Sequence, residues 1–194
     1  MYKVGSFVGS LSSTSVNREL SRVLIHLAPE DLEFNEIGIR NLPLYSPDYD
    51  GNYPPEANAL KDAIHQSDAV LFVTPEYNRS IPGALKNAID WASRPWGHNS
   101  FDHIPAAVIG ASIGQIGTAL AQQSLRAVLS FCNARQMTAP EAYIQYSPEI
   151  FTGDGQVKNE TLKAFLADYM AEFRDHIVRV LTVLPRAANA PRTQ

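Results

Sequence analysis

The stretch Ala69-Val-Leu-Phe-Val-Thr74 runs apolar from a Ser67-Asp68 lead-in almost to Pro75. A strand that hides both faces is apolar at consecutive positions rather than alternate ones, and such strands lie at the centre of parallel sheets covered by helices. Ala106-Ala-Val-Ile-Gly110 repeats the pattern. Tyr2 to Val8 and Leu32 to Ile39 read as two further strands, and a fifth is expected near Gln136 to Tyr146. Helical spacing recurs between them. Val16, Leu20, Val23, Leu24 and Leu27 share one face, and a second helix is expected around Glu56 to Gln66. Leu85, Ala88, Ile89 and Ala92 form a stripe behind Pro82, which suits a first helical turn, and Leu125, Val128, Leu129 and Cys132 form another. Leu162, Phe165, Leu166, Tyr169, Phe173, Ile177, Val180 and Leu181 mark a last helix, so residues 1–184 are expected to be one domain and 185–194 a frayed tail. Strands alternating with helices, joined by right-handed crossovers, make an open doubly wound α/β domain of about five parallel strands.

Composition narrows the function. The chain has 194 residues, 45% hydrophobic and 19% charged, with a net charge of −4. Lys and Arg are scattered, which leaves no electrostatic footprint for nucleic acid or an anionic membrane. No apolar run approaches the roughly 20 residues that span a bilayer, and Met1-Tyr2-Lys3-Val4 leads straight into strand-like sequence, so a cytoplasmic protein is expected. The single cysteine, Cys132, lies on an apolar helical face and reads as a small hydrophobe. His26, His65, His98, His103 and His176 have no metal-ligand spacing, and no Cys-x5-Arg phosphatase loop is present. The expected partner is a small molecule.

In doubly wound sheets ligands bind beyond the carboxyl ends of the strands, near the switch in strand order. Three loops are therefore informative. Gly9-Ser-Leu-Ser-Ser-Thr-Ser-Val-Asn17 ends a strand and opens a helix, a setting in which free amides and hydroxyls bind phosphate without a lysine. It lacks the Gly-Lys-Ser/Thr ending of a P-loop and the Gly-x-Gly-x-x-Gly turn, and its hydroxyls are equally suited to capping the helix. Pro75-Glu-Tyr-Asn-Arg-Ser-Ile-Pro-Gly-Ala-Leu-Lys-Asn-Ala-Ile-Asp-Trp91 follows the central strand. Its stiffened amides and Tyr77 suit the rim of a flat heteroaromatic ring; alternatively it is a rigid turn with a solvated Glu76. Asp90 and Trp91 read as structural, with Trp91 filling space between helix and sheet. The long Leu42 to Pro55 segment, with Asp48 and Asp50, reads as a functional or loose loop.

Gly110-Ala-Ser-Ile-Gly114 fits the Gly-x-Ser-x-Gly nucleophile elbow, so a serine hydrolase built on Ser112 is a rival. Its acid and base would be Asp154 or Asp168 and then His176, the sole histidine after Ser112, which sits among Arg174, Asp175 and Arg179 like a solvated surface residue. Read instead as a small-residue loop, residues 112–117 bring main-chain amides close to a ligand and favour negative charge there.

These residues resemble the NAD(P)H-dependent FMN reductases, a flavodoxin-like group that includes bacterial quinone and chromate reductases. The resemblance runs from the Gly9-Ser10 loop to about Tyr143 and is most specific over Pro75 to Trp91. Gly9-Ser-Leu11 with Ser15 and Asn17, and Ala111-Ser-x-Gly114 leading to Gln122, Gln123, Leu125 and Arg126, match in order. The resemblance implies a flavodoxin-like three-layer sandwich with a five-stranded parallel sheet. It also implies that Ser10, Ser12, Ser15, Val16 and Asn17 surround the FMN phosphate. Pro75, Glu76, Tyr77, Asn78 and Arg79 would border the flavin, with Ser112 and Gly114 near its pyrimidine side. Many relatives have Arg in place of Ser12 and Pro in place of Ile113, departures that bear on a phosphate contact and on the loop against the ring.

Implied with the family are a homodimer or homotetramer, and FMN with NADPH or NADH as co-substrate. The implied reaction is a ping-pong transfer of hydride to flavin N5 and then of electrons to quinones, free flavin or other small acceptors, with no side chain acting as a nucleophile. The runner-up is a flavodoxin-like one-electron carrier, against which the modest charge and the 75–91 signature argue. A domain that has lost its cofactor is opposed by the retained phosphate loop.

Overall fold

The structure is a computed structural model and describes residues 1–186. The chain alternates strand and helix: β1 (Tyr2–Val8), α1 (Val16–Leu27), β2 (Leu32–Glu36), α2 (Pro55–His65), β3 (Ala69–Val73), α3 (Gly83–Ala92), β4 (Pro105–Ser112), α4 (Ala119–Phe131), β5 (Arg135–Gln136), β6 (Tyr143–Gln145) and α5 (Glu160–Val183). All strand pairings are parallel, and the order across the sheet is β2-β1-β3-β4-β5. This is the expected flavodoxin-like three-layer arrangement.

Alternation along the buried strands sorts the two cores. Leu71, Val73, Ala107 and Ile109 face α1 and α5, where Leu20, Val23, Leu24, Leu166, Tyr169 and Phe173 pack. Val70, Phe72, Ala106 and Val108 face the layer of α2, α3 and α4 together with Phe7, Leu60, Leu85 and Leu125. Phe7 and Phe72 stack there with centroids 4.7 Å apart. Burying residues of this size on both faces contributes about 1.5–3 kcal/mol per large side chain, which is why strands β3 and β4 tolerate almost no polar residue.

Three boundaries differ from the sequence expectation. The fifth strand is divided: β5 pairs with the start of β4 (Pro105↔Arg135) and β6 with its end (Gly110↔Tyr143). Met137 N–H still donates to the Ala106 carbonyl at 2.8 Å, and residues 138–142 step out of the ladder before β6, with Met137 and Ala142 buried. β2 stops at Glu36, although Ile37 and Ile39 remain buried in the α2 layer and Ile37 N–H still donates to the Ser6 carbonyl at 2.9 Å. Pro82 is the N-cap of α3 rather than its first residue.

The 42–55 segment is held in place. Trp91 is fully buried, with Tyr45, Tyr49 and Tyr53 packed around its ring at centroid distances of 5.0 to 5.5 Å. Its Nε1 donates to the Pro43 carbonyl at 2.7 Å, and Asn87 both donates to Pro43 and accepts from Tyr45 N–H at 2.9 Å. Trp91 thus ties this segment down as well as filling the layer beneath it. Most of the expected frayed tail, residues 187–194, lies outside the described residues; Arg186 donates to the Asp102 carbonyl at 3.3 Å.

Candidate functional site

β1, β3 and β4 are neighbours, and the chain reverses its direction of travel across the sheet after β2, so a switch point lies between β1 and β3. Two main-chain bonds extend the ladders past the strand ends, Gly9 N–H to the Val73 carbonyl and Thr74 N–H to the Ile109 carbonyl, each 2.9 Å. The three loops singled out from the sequence therefore start side by side. At Gly110 an added Cβ would lie 2.1 Å from the Thr74 carbonyl oxygen, so glycine here permits the close approach of β4 to the end of β3.

The first loop uses its hydroxyls as internal acceptors. Ser10 Oγ accepts from Ser12 N–H and Ser12 Oγ from Thr14 N–H, both at 3.2 Å. Ser15 caps α1, its Oγ accepting from Arg18 N–H at 3.2 Å. The main-chain N–H groups of Ser13, Ser15, Val16 and Asn17 donate to no protein acceptor among the described residues. Turns of this kind, closed from within, leave a helix N-terminus with free donors and the positive end of its dipole, a donor set that fits a phosphate dianion. The capping reading holds at Ser15, and the amides beside it stay free.

Asn17 departs from its expected use. Its side chain is buried, with Nδ2 donating to the Ala111 carbonyl at 2.9 Å and Oδ1 accepting from Ala111 N–H at 2.8 Å. Only its main-chain amide is left for a ligand. Val16 likewise packs its side chain against the α1–α5 core and leaves its amide. Arg40, which sequence reasoning did not single out, reaches the loop from beyond β2 and donates through Nη2 to the Leu11 carbonyl. Nothing in local sequence marks it; its proximity follows from the parallel pairing of β1 with β2.

The second loop is a two-residue hairpin turn. Tyr77 N–H donates to the Ser80 carbonyl at 2.9 Å and Ser80 N–H returns to Tyr77 at 3.0 Å. Asn78 and Arg79 hold φ of 51° and 64°. Both residues are thus left-handed, as a type I′ turn requires. Glu76 is not solvated: its side chain is 9% exposed, and Oε2 accepts from Leu120 N–H at 3.0 Å and Ala121 N–H at 3.1 Å. The carboxylate caps α4 from across the site, and Arg79 pairs with its other oxygen at 3.4 Å. Pro75 is buried, and Tyr77 is 51% exposed at the rim.

In the third loop Ser112 Oγ accepts from Gly114 N–H at 3.2 Å, and Gly117 N–H bonds the Gly114 carbonyl at 3.0 Å. Gly117 has φ +57°, and an added Cβ would meet the β6 backbone at 2.8 Å. Ile113 is 78% exposed. The serine hydrolase reading fails on geometry. Ser112 ends β4, whereas His176 Nε2 bonds the Arg135 carbonyl, and Arg135 pairs with Pro105 at the strand's beginning. Seven residues of strand, about 23 Å, separate Ser112 from that end of the sheet, and Gly110 serves strand packing rather than an elbow.

Across residues 2–149 the chain matches the family model described as NADPH-dependent FMN reductase. It is 44% identical over 171 residues to a 2-hydroxy-1,4-benzoquinone reductase of a Burkholderia species, covering 88% of this chain and 93% of that protein. It is 42% identical over 174 residues to a quinone reductase of Pseudomonas putida, covering 89% and 93%. Among solved structures, the flavoenzyme NAD(P)H:(acceptor) oxidoreductase of Paracoccus denitrificans matches with a TM-score of 0.89 at 47% identity, over 92% of this chain and 98% of that one.

Proposed function

Because the chain belongs to the NADPH-dependent FMN reductase family, we propose that the three loops at the carboxyl edge of its sheet form the FMN site of an NAD(P)H-dependent quinone reductase. The observation that carries this reading is the Gly9–Asn17 loop, which combines a strand end, internally closed hydroxyl turns and unpaired amides at the start of α1. Ser10, Ser12 and Ser15, with the amides of Val16 and Asn17, would hold the phosphate. Pro75, Glu76, Tyr77, Asn78 and Arg79 would border the ring, and Ser112 and Gly114 its pyrimidine side.

FMN held there would supply the redox chemistry of a ping-pong reaction between NADPH or NADH and a quinone, free flavin or another small acceptor. The chain's own contribution is positional. Asn17 ties the first loop to the end of β4, and Glu76 ties the second loop to α4, so the three loops form one rim. Main-chain amides of the second and third loops would favour negative charge along the ring edge. Half-exposed Tyr77 offers an aromatic wall to a planar substrate.

A homodimer or homotetramer, with a second copy against the exposed Tyr77 and Ile113, completes the reading. The expected compartment is the cytoplasm; no helix among the described residues is long and apolar enough to cross a membrane. The test is optical. Protein mixed with FMN and desalted should keep the visible flavin bands, which should bleach on anaerobic addition of NADPH or NADH. Loss of all flavin on desalting would remove the reading, and bound flavin that neither nucleotide reduces would favour a one-electron carrier.

A further inference from the structure

The first loop carries no positive charge of its own, since Gly9 to Asn17 contains no Lys, Arg or His. The next residue, Arg18, is engaged with Glu36, Nη1 to Oε2 at 2.6 Å. The cation that meets the loop comes from the chain just beyond the neighbouring strand β2. β1 and β2 pair in parallel with Ser6 opposite Glu36, so the chain leaving β2 runs beside the chain leaving β1. Ile37 and Ile39 are buried and fix that segment. Between them and the long 42–55 segment, exposed Arg40 donates through Nη2 to the Leu11 carbonyl. Its Nε and Nη1 meet no protein acceptor among the described residues.

We propose that Arg40 is the cationic partner of the phosphate bound by the first loop, an assignment that rests on the reading of that loop as the FMN phosphate site. The macrodipole of α1 supplies only about half a unit charge at its N-terminus, whereas the phosphate of FMN is a dianion near neutral pH. A guanidinium anchored by one nitrogen to a loop carbonyl keeps its remaining donors and a full charge beside that site. Its planar fork matches phosphate oxygens, and it stays protonated throughout the working pH range. The hydroxyl-and-amide loop and a charge from the segment that follows the adjacent strand together make a complete anion site.

The test compares FMN with riboflavin, which carries the ring and ribityl chain without the phosphate. Kd values are measured by quenching of flavin fluorescence with the full-length chain freed of flavin, for the wild type and Arg40→Gln. Glutamine ends where the arginine Nε lies, so the variant removes the charge together with the Nη2 bond to the Leu11 carbonyl, and riboflavin binding reports whether loss of that bond alone disturbs the loop. The expected result is FMN binding weakened about tenfold, with riboflavin binding unchanged. The salt dependence of FMN affinity should be shallower in the variant, because exposed charge pairs are screened over about 10 Å at 0.1 M salt. Equal FMN affinities and equal salt dependence in the two proteins would overturn the assignment of Arg40 alone. A wild type that binds neither flavin would overturn the cofactor reading and this assignment with it.

Discussion

Asn17 and Ala111 exchange two hydrogen bonds across 94 positions of sequence, the side-chain amide of one closing on both main-chain polar groups of the other at 2.9 and 2.8 Å. Asn17 is in the first turn of α1, directly after the hydroxyl-rich loop; Ala111 is the penultimate residue of β4, directly before the third loop. The pair mimics an additional strand rung and sets the spacing between two parts of the site. Both residues are buried, so water does not replace these bonds without rearrangement.

Asn17→Ala leaves the buried N–H and carbonyl of Ala111 without partners, each costing about 1–3 kcal/mol. Chemical denaturation should report a loss of about 2–6 kcal/mol, accompanied by weaker FMN binding. Asn17→Asp should do no better, because it sets a carboxylate against the Ala111 carbonyl. A variant as stable as the wild type would mean that the contact has no structural weight.

Glu76 is a second tie, fastening the loop after β3 to the N-terminus of α4. A carboxylate there satisfies two free N–H groups and interacts with the helix dipole. Glu76→Ala should cost about 1–2 kcal/mol and Glu76→Gln less, since the amide oxygen still accepts. The Ala variant should retain FMN and oxidise NAD(P)H more slowly. Complete loss of turnover in a protein that keeps its flavin would show that the carboxylate takes part in the chemistry rather than in positioning.

Arg79 holds a left-handed conformation at the second central position of its turn, where glycine is favoured. That conformation costs a non-glycine residue about 1–2 kcal/mol, and the exposed half of its ion pair with Glu76 offsets little of it. Arg79→Gly should therefore leave stability equal or raise it by up to about 1 kcal/mol, while Arg79→Val lowers it by a similar amount. If Arg79→Gly also weakens NADPH or FMN binding, the strain is retained for the guanidinium. A clear drop in the stability of Arg79→Gly would refute this view of the turn.

The sheet was legible in the sequence because β3 and β4 are apolar at successive positions, a pattern that neither an amphipathic helix nor a half-exposed strand produces. The divided fifth strand was not, since β5 and β6 contribute two and three residues and bear no period of their own. The site loops were legible as loops, but their internal bonding was not. Glu76 reads as an exposed acid until the tertiary fold brings the start of α4 to it, and the Asn17 side chain reads as open to a ligand until Ala111 is seen to occupy both its amide atoms. Arg40 shows the same limit, because what it touches is decided by strand pairing, and that is long-range information.

His176 offers a test at the opposite end of the sheet from the site. Burial, the dominant influence, holds its pKa below the ordinary 6.5, opposed by the hydrogen bond to the Arg135 carbonyl and assisted by Arg179. Between the depressed folded value and 6.5 the unfolded chain binds more protons than the folded one. This histidine's contribution to stability is therefore fully present above 6.5 and is lost as pH falls below it. The denaturation midpoint of the wild type should drop between about pH 7.5 and about pH 5.5 by more than that of His176→Gln, whose amide can still donate to Arg135. Identical pH profiles for the two proteins would mean that the folded protein accommodates the imidazolium without cost. Flavin binding should be equal in both at pH 7.5, because the strand β4 separates this contact from the loops that hold the ligand.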